Sequence, residues 1–239
     1  QNSATPRRSL QSSDSPRRAR SGSLASLSSS PREIRIQVAC RVRPPPAHTL
    51  SAVALDGNAV CVKLQGYSES HEPVLFDHVF GPSATQEDIY SQVAEPVVKA
   101  VLQGVNGTVF CYGQTGSGKT YTMEGTPENP GLLTRLGRSI FQEGADRLEQ
   151  VTVSVVEIYM EKLRDLLEPS NSVEARESTA GSVYVAGATE RKVSSPEDIL
   201  ECLYTSQKER SVGTTKMNER SSRSHSVFSV TVRQRDAAS

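Results

Sequence analysis

The residues best suited to chemistry form a glycine-rich run that ends in Lys119 and Thr120. The run reads GQTGSGKT over residues 113–120 and matches the phosphate-binding pattern G-x-x-x-x-G-K-[S/T]. Glycines let such a loop curl until several backbone N–H groups converge on one anionic oxygen. The lysine of this pattern reaches the β- and γ-phosphates of a nucleotide, and the hydroxyl of its last residue binds Mg²⁺. The run therefore predicts a nucleotide site, against the alternative of a glycine-rich surface loop with an exposed lysine.

A second run of polar residues, NERSSRSH, occupies residues 218–225 and directly precedes an alternating apolar pattern. Phosphoryl transfer needs oxygen ligands for Mg²⁺, donors to the γ-phosphate and a group that positions water. Serine hydroxyls and asparagine amides can supply all three, and a loop can rearrange when the γ-phosphate leaves. The run is either a polar connection between two elements or, together with the phosphate loop, the second part of the site.

The elements that must position these two runs follow from the spacing of apolar residues. Alternation predicts strands at residues 34–43, 59–64, 74–76, 151–159, 183–185, 191–193 and 227–233, with a further strand in the apolar run 107–111 before the phosphate loop. Helical spacing predicts helices at residues 84–102, 119–124, 132–148, 161–167 and 196–210. Strands that alternate with helices predict an α/β fold with helices on both faces of the sheet.

Local signals refine two of these helices and predict one loop. Pro96 falls in the middle of the first helix, so we expect a kink there or two shorter pieces. The N-cap of that helix is Ser83 or Thr85, and the last helix takes Ser195 as its N-cap with a proline in its first position. Residues 170–181 are polar and predict a loop.

Composition limits the class of protein. The chain has 239 residues, enough for one substantial α/β domain or two small ones, and a formal net charge of zero that favours neither nucleic acid nor anionic lipid. Its four cysteines lack the spacing of a metal site, which predicts reduced thiols and an intracellular compartment. No apolar run has the length of a membrane span, and the start at Gln1 is expected of an excised piece.

Residues 1–33 differ in composition from the rest of the chain. They are rich in serine, arginine and proline and lack aromatic residues, which predicts a disordered extension. Six arginines against two acidic residues give this segment a net charge of +4. Three Ser/Thr-Pro pairs resemble phosphorylation sites, so the extension is either a tether whose charge can be switched or a solvated linker with incidental sites.

Several motifs occur together in an order that resembles the kinesin motor domain. GQTGSGKT is followed directly by YTMEG, and NERSSRSH lies downstream of both. The supporting motifs are CRVRP at residues 40–44, FDHVF at 76–80, VVEIYMEKLRDLL at 155–167 and GATERKVSSPEDI at 187–199. The resemblance covers about residues 34–235 and implies an α/β P-loop NTPase fold, with a central mixed β-sheet flanked by helices on both faces.

The resemblance also implies roles for individual residues. The residues expected to bind the nucleotide are Arg41, Arg43, Pro44, Gly113, Gln114, Thr115, Gly116, Ser117, Gly118, Lys119, Thr120 and Tyr121. The first three would flank the adenine and ribose, Tyr121 would stack from the other side, and Thr120 would hold the magnesium ion. Without the resemblance, the two arginines could face solvent from a strand, and the tyrosine could be an ordinary packed aromatic residue.

The second polar run corresponds to the family's switch I. Ser222 would approach Mg²⁺, while Asn218 and Ser221 would contact the γ-phosphate and the attacking water. Arg223 would pair with a glutamate of the family's switch II. These four residues are the expected catalytic group, and Thr120 and Ser222 are the expected metal ligands.

The sequence departs from the family pattern at three places. Pro45, Pro46 and Ala47 replace the asparagine and acidic residue that commonly follow the RP pair, and Thr134 stands where a proline usually precedes an arginine. The switch II segment, D-x-x-G-x-E, is expected after the strand at residues 227–233 and is not in the chain. We therefore expect residues 34–239 to be a partial motor domain, incomplete at its C-terminal end, that by itself binds nucleotide weakly at best.

Together these features imply an ATP hydrolase of the microtubule-motor type. The expected cofactors are ATP and Mg²⁺, the expected partner is the microtubule, and the expected location is the cytoplasm and cytoskeleton. Nucleic-acid binding is not expected, because the arginines of the extension have no aromatic residues interleaved for base stacking. Membrane insertion is not expected either, because no apolar run has the length of a membrane span. One alternative is a truncated nucleotide-binding fragment without productive hydrolysis. Another is a different P-loop NTPase, such as a myosin-like motor, against which RVRP and GQTGSGKT favour kinesin.

Overall fold

The computed structural model describes residues 36–47, 52–62, 72–179, 181–212 and 223–235. Apart from Ile36, these residues lie in one compact unit of the chain, Gln37–Ser239. The predicted extension at residues 1–33 lies outside the described residues, so the domain boundary at residue 34 stays a prediction.

Among the described residues, five strands come first, followed by a group of helices, five further strands, one helix and a last strand. The elements therefore occur in groups and do not follow the simple alternation of strands and helices that the apolar spacing predicts. The strands are β1 (Ala39–Arg41), β2 (Val53–Asp56), β3 (Ala59–Val62), β4 (Val74–Leu75), β5 (His78–Phe80), β6 (Leu148–Tyr159), β7 (Lys162–Asp165), β8 (Glu174–Glu177), β9 (Val183–Ala186), β10 (Arg191–Val193) and β11 (Ser224–Gln234). The helices are α1 (Gln86–Ile89), α2 (Glu95–Val101), α3 (Lys119–Met123), α4 (Leu132–Gly144) and α5 (Pro196–Val212).

The longest strand, β6, organises the largest sheet. Strand β11 pairs antiparallel along the whole of β6, while β10 and β7 pair antiparallel with shorter parts of it. Within the described residues the other pairings are a parallel pair of β1 with β5, an antiparallel group β2–β3–β4 and an antiparallel pair β8–β9. The strand pairing is therefore mixed, in agreement with the predicted α/β class.

Apolar side chains of β6 lie in the larger of two hydrophobic cores. We call this cluster the sheet core; its buried members are Val98, Leu102, Ile140, Val151, Val153, Val155, Leu166, Leu167, Val193, Ile199 and Cys202. Side chains on both faces of β6 are buried, because the three consecutive residues Val151, Thr152 and Val153 are all buried. This two-sided burial explains why β6 reads as a nearly continuous run of β-branched residues.

A smaller core lies under the phosphate loop. We call it the loop core; its buried members are Phe80, Ile89, Tyr90, Ala94 and Leu132. The partly buried Val109 and Met123, which flank the phosphate loop in sequence, pack against it. The loop core therefore supports the segment that carries the predicted site.

The first predicted helix divides into two pieces, as the position of Pro96 indicates. A π-helical stretch, Tyr90–Ala94, separates α1 from α2, and the proline takes a place in the first turn of α2 where its missing N–H is tolerated. Of the two candidate N-caps, Thr85 is correct. It forms a capping box in which its hydroxyl accepts from the N–H of Asp88 and its own N–H donates to the Asp88 carboxylate.

The predicted helix at residues 161–167 is wrong. Residues Lys162–Asp165 form β7, which returns antiparallel along the end of β6. Met160 and Glu161 both have positive φ, at 49° and 60°, and this two-residue turn matches the right-handed twist of the flanking strands. Neither residue is a usual choice for that conformation, so the turn had no signal in the sequence.

Two further predictions fail. The predicted loop at residues 170–181 contains β8, which pairs with β9. The predicted strand at residues 107–111 is not formed, since residues 105–113 lie outside every strand and helix. A strand requires a hydrogen-bonding partner, and the nearby β1 pairs instead with β5.

Among the described residues, no helix has the length and apolar character needed to cross a membrane.

Candidate nucleotide-binding site

The phosphate loop depends on glycine for its backbone conformation. Gly116 and Gly118 have φ values of +79° and +102°, a region that residues with a Cβ rarely adopt. A Cβ at either position would meet no atom within 4 Å, so the requirement is conformational and the space beside the loop is open. The loop therefore has the shape in which backbone N–H groups can face an anion.

Lys119 lies across this loop. Its ammonium Nζ donates to the carbonyl oxygens of Gly113 at 2.7 Å and Gln114 at 2.8 Å. The side chain is half-buried and comes from the first residue of α3, directly after Gly118. The charge predicted to reach the phosphates is thus held over the loop by two neutral acceptors.

Strand β1 brings a second cation to the loop. Arg43, two residues beyond the end of β1, donates from Nη1 to the carbonyl oxygen of Gly116. Pro44 follows it and is exposed. Strand β1 is held by its parallel pairing with β5. Arg43, which follows β1, therefore lies beside the phosphate loop, as the resemblance predicts for a nucleotide-binding residue.

The other predicted arginine, Arg41, contacts the predicted tyrosine. Its guanidinium carbon lies 5.1 Å from the centroid of the Tyr121 ring, a cation–π arrangement. Nη1 of Arg41 also donates to Oγ1 of Thr122 at 2.9 Å. Burial lowers the pKa of Arg41, but a guanidinium remains protonated in proteins. Arg41 is therefore a charged, partly buried group bound to the first turns of α3.

A glutamine that the sequence analysis missed connects these residues. Gln86, the first residue of α1, is fully buried. Its Oε1 accepts from Arg41 at 2.8 Å, and its Nε2 donates to the backbone oxygen of Tyr121 at 2.5 Å. A further contact holds the tyrosine hydroxyl, which accepts from Nδ2 of Asn129 at 2.9 Å.

The second polar run lies largely outside the described residues. Asn218, Ser221 and Ser222 are among the residues not described, so their predicted roles stay predictions. Arg223 is described and exposed, at the start of β11. The two described ends of this segment are close, because Nη2 of Arg210 on α5 donates to Oγ of Ser224 on β11 at 3.3 Å.

A hydrogen bond ties the same helix to the phosphate-loop helix. Nε2 of Gln207 on α5 donates to Oε2 of Glu124, the residue that ends α3, at 2.7 Å. Burial raises the pKa of the Glu124 carboxyl above its ordinary value, while the Gln207 hydrogen bond and the Arg210 charge act in the opposite direction. The end of α5 that precedes the second polar run thus lies against the end of α3.

A buried carboxylate lies beneath Arg210. Glu157 on β6 is only 1% exposed, and its Oε1 is 3.9 Å from Nε of Arg210. The neighbouring Arg164 on β7 pairs with Glu209 at 3.1 Å. These charged residues join α5 to the sheet, so the end of α5 is anchored to β6 and β7 as well as to α3.

The missed residues have weak signals in the sequence. Gln86 follows a capping threonine, and Glu124 belongs to the YTMEG motif, but nothing local distinguishes a buried amide or carboxyl from an exposed one. Their partners lie 45 and 83 residues away in the chain. Only the tertiary structure brings them together, by placing α1 beside β1 and α5 beside the end of α3.

The described residues fit a phosphate-bearing ligand. The backbone of the loop has the positive φ values that glycine permits, and the space beside Gly116 and Gly118 is open. Lys119 lies across the loop and Arg43 lies beside it. Among the described residues no group of three or more His, Cys, Asp or Glu could hold a metal. A Mg²⁺ ion here would depend on hydroxyl ligands such as the exposed Thr120 together with phosphate oxygens, a ligand set that Mg²⁺ commonly takes.

Comparison with known proteins gives one consistent family. A family model described as the kinesin motor domain matches residues 46–239. Two curated relatives are the kinesin heavy chain of Strongylocentrotus purpuratus and kinesin heavy chain isoform 5C of Homo sapiens. The first is 41% identical over 217 residues, covering 85% of this chain and 20% of that protein. The second is 41% identical over 216 residues, covering 85% of this chain and 22% of that protein.

A solved structure agrees with these relatives. The structure of a fast kinesin, described together with its ATPase mechanism and its interactions with microtubules, matches with a TM-score of 0.76 and 38% sequence identity. The match covers 84% of this chain and 60% of that one. It confirms the predicted α/β fold of the P-loop NTPase type. The chain spans about a fifth of the length of the curated relatives that it matches.

Proposed function

Because the chain belongs to the kinesin motor domain family, we propose that it binds ATP with Mg²⁺ at the phosphate loop and that the protein carrying it hydrolyses ATP to move along microtubules. The observation that carries this proposal is the glycine-shaped loop with Lys119 held across it and Arg43 at its edge. The family membership excludes the alternative of a different P-loop NTPase.

On the phosphate side, residues 113–120 would hold the polyphosphate through their backbone N–H groups. Lys119 is half-buried and bonded to two neutral carbonyl oxygens, so its ammonium can exchange them for the more strongly interacting oxygens of a phosphate. The Thr120 hydroxyl, exposed in the first turn of α3, would contribute a ligand to Mg²⁺. When bound, the metal neutralises charge that develops on the transferred phosphoryl group.

On the base side, Arg41, Arg43 and Pro44 would flank the adenine and ribose, and Tyr121 would stack with the base. Tyr121 directly follows Thr120, and 41% of its surface is exposed while Arg41 covers its ring. An exposed aromatic face next to a phosphate site suits a purine, because every base offers a π face for stacking.

Residues of the second polar run would complete the site. Asn218 and Ser221 would contact the γ-phosphate and the attacking water, Ser222 would approach Mg²⁺, and Arg223 would pair with a carboxylate of switch II. Their support in the described residues is indirect: α5 and β11, which flank the run, are joined by Arg210 and Ser224, and α5 reaches α3 through Gln207.

The expected partner of the full-length protein is the microtubule, and its expected location is the cytoskeleton. Both follow from the family and from the solved fast kinesin, which is described with its microtubule interactions. The second candidate function is nucleotide binding without turnover. It is favoured by the exposed Phe110 and Tyr112 in the segment before the phosphate loop, which forms no strand.

A lysine substitution tests the proposal in the full-length protein. Lys119→Ala removes the ammonium from the loop, so we expect ATP turnover in the presence of microtubules to fall by about 100-fold or more. Lys99→Ala is the matched control, because Lys99 is an exposed lysine on α2 that pairs with Glu95 one turn away.

Three measurements distinguish the two candidate functions: ATP affinity, phosphate release with and without microtubules, and gliding of microtubules on immobilised protein. Turnover that is stimulated by microtubules and lost in Lys119→Ala supports the motor. ATP binding without turnover supports the second candidate. Undiminished turnover in Lys119→Ala would contradict the assignment of the phosphate loop.

A further inference from the structure

We propose that Gln86 is a positioning residue for the base side of the nucleotide site, and that it sets how strongly the protein prefers ATP over a polyphosphate without a base. This inference rests on the proposed nucleotide function. Gln86 does not reach the ligand, since it is fully buried. It acts through Arg41 and Tyr121, the two residues it joins.

Both ends of the Gln86 amide are used. Its carbonyl oxygen accepts from Arg41 at 2.8 Å, and its amino group donates to the backbone oxygen of Tyr121 at 2.5 Å. A glutamine amide has one acceptor end and one donor end, and each faces the only kind of partner it can bond. Exchanging the two ends would set N–H against guanidinium N–H and oxygen against carbonyl oxygen, so one orientation of the side chain is required.

The two bonds close a ring of contacts through Tyr121. Gln86 holds the tyrosine backbone and Arg41, and Arg41 in turn covers the tyrosine ring at 5.1 Å from its centroid. Thr122, the next residue, accepts from the same arginine nitrogen. The distance between guanidinium and ring is therefore set from outside the pair, by a residue on another helix.

The position of Gln86 on α1 is itself constrained. It directly follows the capping residue Thr85, which is fixed by its reciprocal bonds with Asp88. Ile89 and Tyr90, three and four residues later, are buried in the loop core. The amide is thus presented by a helix end that cannot turn without breaking a cap and a core.

This arrangement acts on the base rather than on the phosphates. Among the described contacts of Lys119 and Arg43 with the loop, none involves Gln86. Losing Gln86 would release Arg41 and the Tyr121 backbone, while the bonds of Lys119 and Arg43 to the loop would remain. A base stacked there would lose its fixed platform, whereas a bare polyphosphate would keep its own contacts.

The test compares two ligands in the full-length protein. Gln86→Met keeps the size and shape of the side chain and removes both hydrogen-bonding groups. Calorimetric titration in the presence of Mg²⁺ gives the Kd of ATP and of inorganic tripolyphosphate, which has neither base nor ribose. We expect the Kd of ATP to rise about tenfold and that of tripolyphosphate to change by less than about twofold.

Two further variants make the result specific. Gln86→Glu keeps the acceptor for Arg41 and loses the donor to Tyr121, so its ATP affinity should fall between those of the wild type and Gln86→Met. Gln142→Met, the same exchange at an exposed glutamine of α4, should bind both ligands like the wild type. If circular dichroism shows that Gln86→Met does not fold, the Gln86→Glu comparison decides alone.

Equal weakening of both ligands, or unchanged binding of ATP, would overturn the inference, because Gln86 would then be an ordinary core amide. Failure of the proposed function looks different. In that case the wild-type protein binds neither ATP nor tripolyphosphate, and the inference falls with it.

Discussion

Two regions of this molecule differ in what stabilises them: apolar burial in the first and a few directional hydrogen bonds in the second. The sheet region consists of β6, β7, β10, β11 and α5, and the loop region consists of β1, β5, α1, α3 and the phosphate loop. In the described residues, eleven buried side chains form the sheet core and five form the loop core. Helix α4 contributes to both, with Ile140 in the first and Leu132 in the second.

The two regions also differ in the hydrogen-bond partners of a buried polar side chain. In the sheet region the buried Asp165 serves the backbone: its carboxylate accepts from the N–H groups of Leu167, Glu168 and Thr189. In the loop region the buried Gln86 bonds to the guanidinium of Arg41 and to the backbone oxygen of Tyr121, two residues of the proposed site. Asp165 closes a turn, whereas the proposed role of Gln86 is to set the geometry of the nucleotide site.

The contrast explains where binding residues can lie. Apolar burial is non-directional and stabilises the sheet region without fixing any one exposed group. The loop core has fewer buried side chains, so the geometry of the loop region depends more on a few directional hydrogen bonds. Parts of a protein with few buried apolar contacts open most easily. The proposed site lies in the loop region, which is connected to the sheet region by the hydrogen bond between Gln207 and Glu124.

The largest expected loss of stability comes from truncating a leucine in one of the two cores. Leu166→Ala removes a fully buried side chain of the sheet core and should lower the free energy of unfolding by about 3–5 kcal/mol. Leu132→Ala in the loop core should cost less, about 2–3 kcal/mol, but it should also weaken ATP binding, because Met123 packs in the same cluster. Urea unfolding and ATP titration measure the two effects, with the exposed Leu75→Ala as control. Weakened ATP binding in Leu166→Ala alone would remove the distinction between the regions.

The next effect concerns Asp165. Asp165→Ala leaves the N–H groups of Leu167, Glu168 and Thr189 without their acceptor, which should cost about 2–4 kcal/mol of unfolding free energy. Glu177→Ala, at an exposed carboxylate of β8, should change stability by less than about 0.5 kcal/mol. The ATP affinity of the folded Asp165→Ala protein should stay that of the wild type. A loss of ATP affinity as large as that of Lys119→Ala would contradict a purely structural role.

The same carboxylate predicts a pH dependence. Burial by itself raises the pKa of Asp165, but the hydrogen bonds from Thr189, Glu168 and Leu167 outweigh it and hold the pKa below its ordinary value. The unfolded state therefore binds a proton first on acidification, so this contribution is complete above the unfolded pKa of about 3.9 and is lost as pH falls through the lower folded pKa. The stability difference between wild type and Asp165→Asn should narrow below about pH 4. A constant difference from pH 6 to pH 3 would refute this account.

The smallest effect compares two helix caps of the same kind. Thr85 caps α1, and Ser195 caps α5 by accepting from the N–H of Asp198, whose carboxylate accepts from the N–H of Ser195. Thr85→Ala and Ser195→Ala should each cost about 1 kcal/mol of stability. Only Thr85→Ala should also raise the Kd of ATP, because Gln86 is the next residue. Thermal unfolding and ATP titration of both variants give the answer, and equal ATP affinities would count against the role of α1 in the site.

Features that depend on neighbours in sequence could be predicted. The turns with positive φ at Gly116 and Gly118 follow from the glycines of the loop, the break in the first helix from Pro96, and the long strand β6 from its run of β-branched residues. The start of α5 likewise follows from Ser195 and the proline after it. In each case a local preference and the tertiary fold favour the same conformation, so the pattern is readable.

Other features could not be read because their cause is distant. The VVEIYMEKLRDLL stretch has helix-forming residues after Tyr159. These residues nevertheless form β7, which pairs with β6 in a hairpin whose two turn residues have positive φ. The apolar run at residues 107–111 favours a strand, but a strand also needs a partner edge, and no local pattern specifies one. Propensity amounts to a fraction of a kilocalorie per residue, and long-range pairing outweighs it.

The sequence by itself determined the chemical groups of the proposed site: a glycine-rich loop that matches the phosphate-binding pattern, a lysine and a threonine at its end, and two arginines and a tyrosine. Tertiary structure alone decided which of them act together. It brought Arg43 to Gly116 and Arg41 to Tyr121, and it placed Gln86 where its amide bonds to Arg41 and to the backbone oxygen of Tyr121. The reason is that hydrogen bonds and stacking act over a few ångströms in space, whatever the separation along the chain.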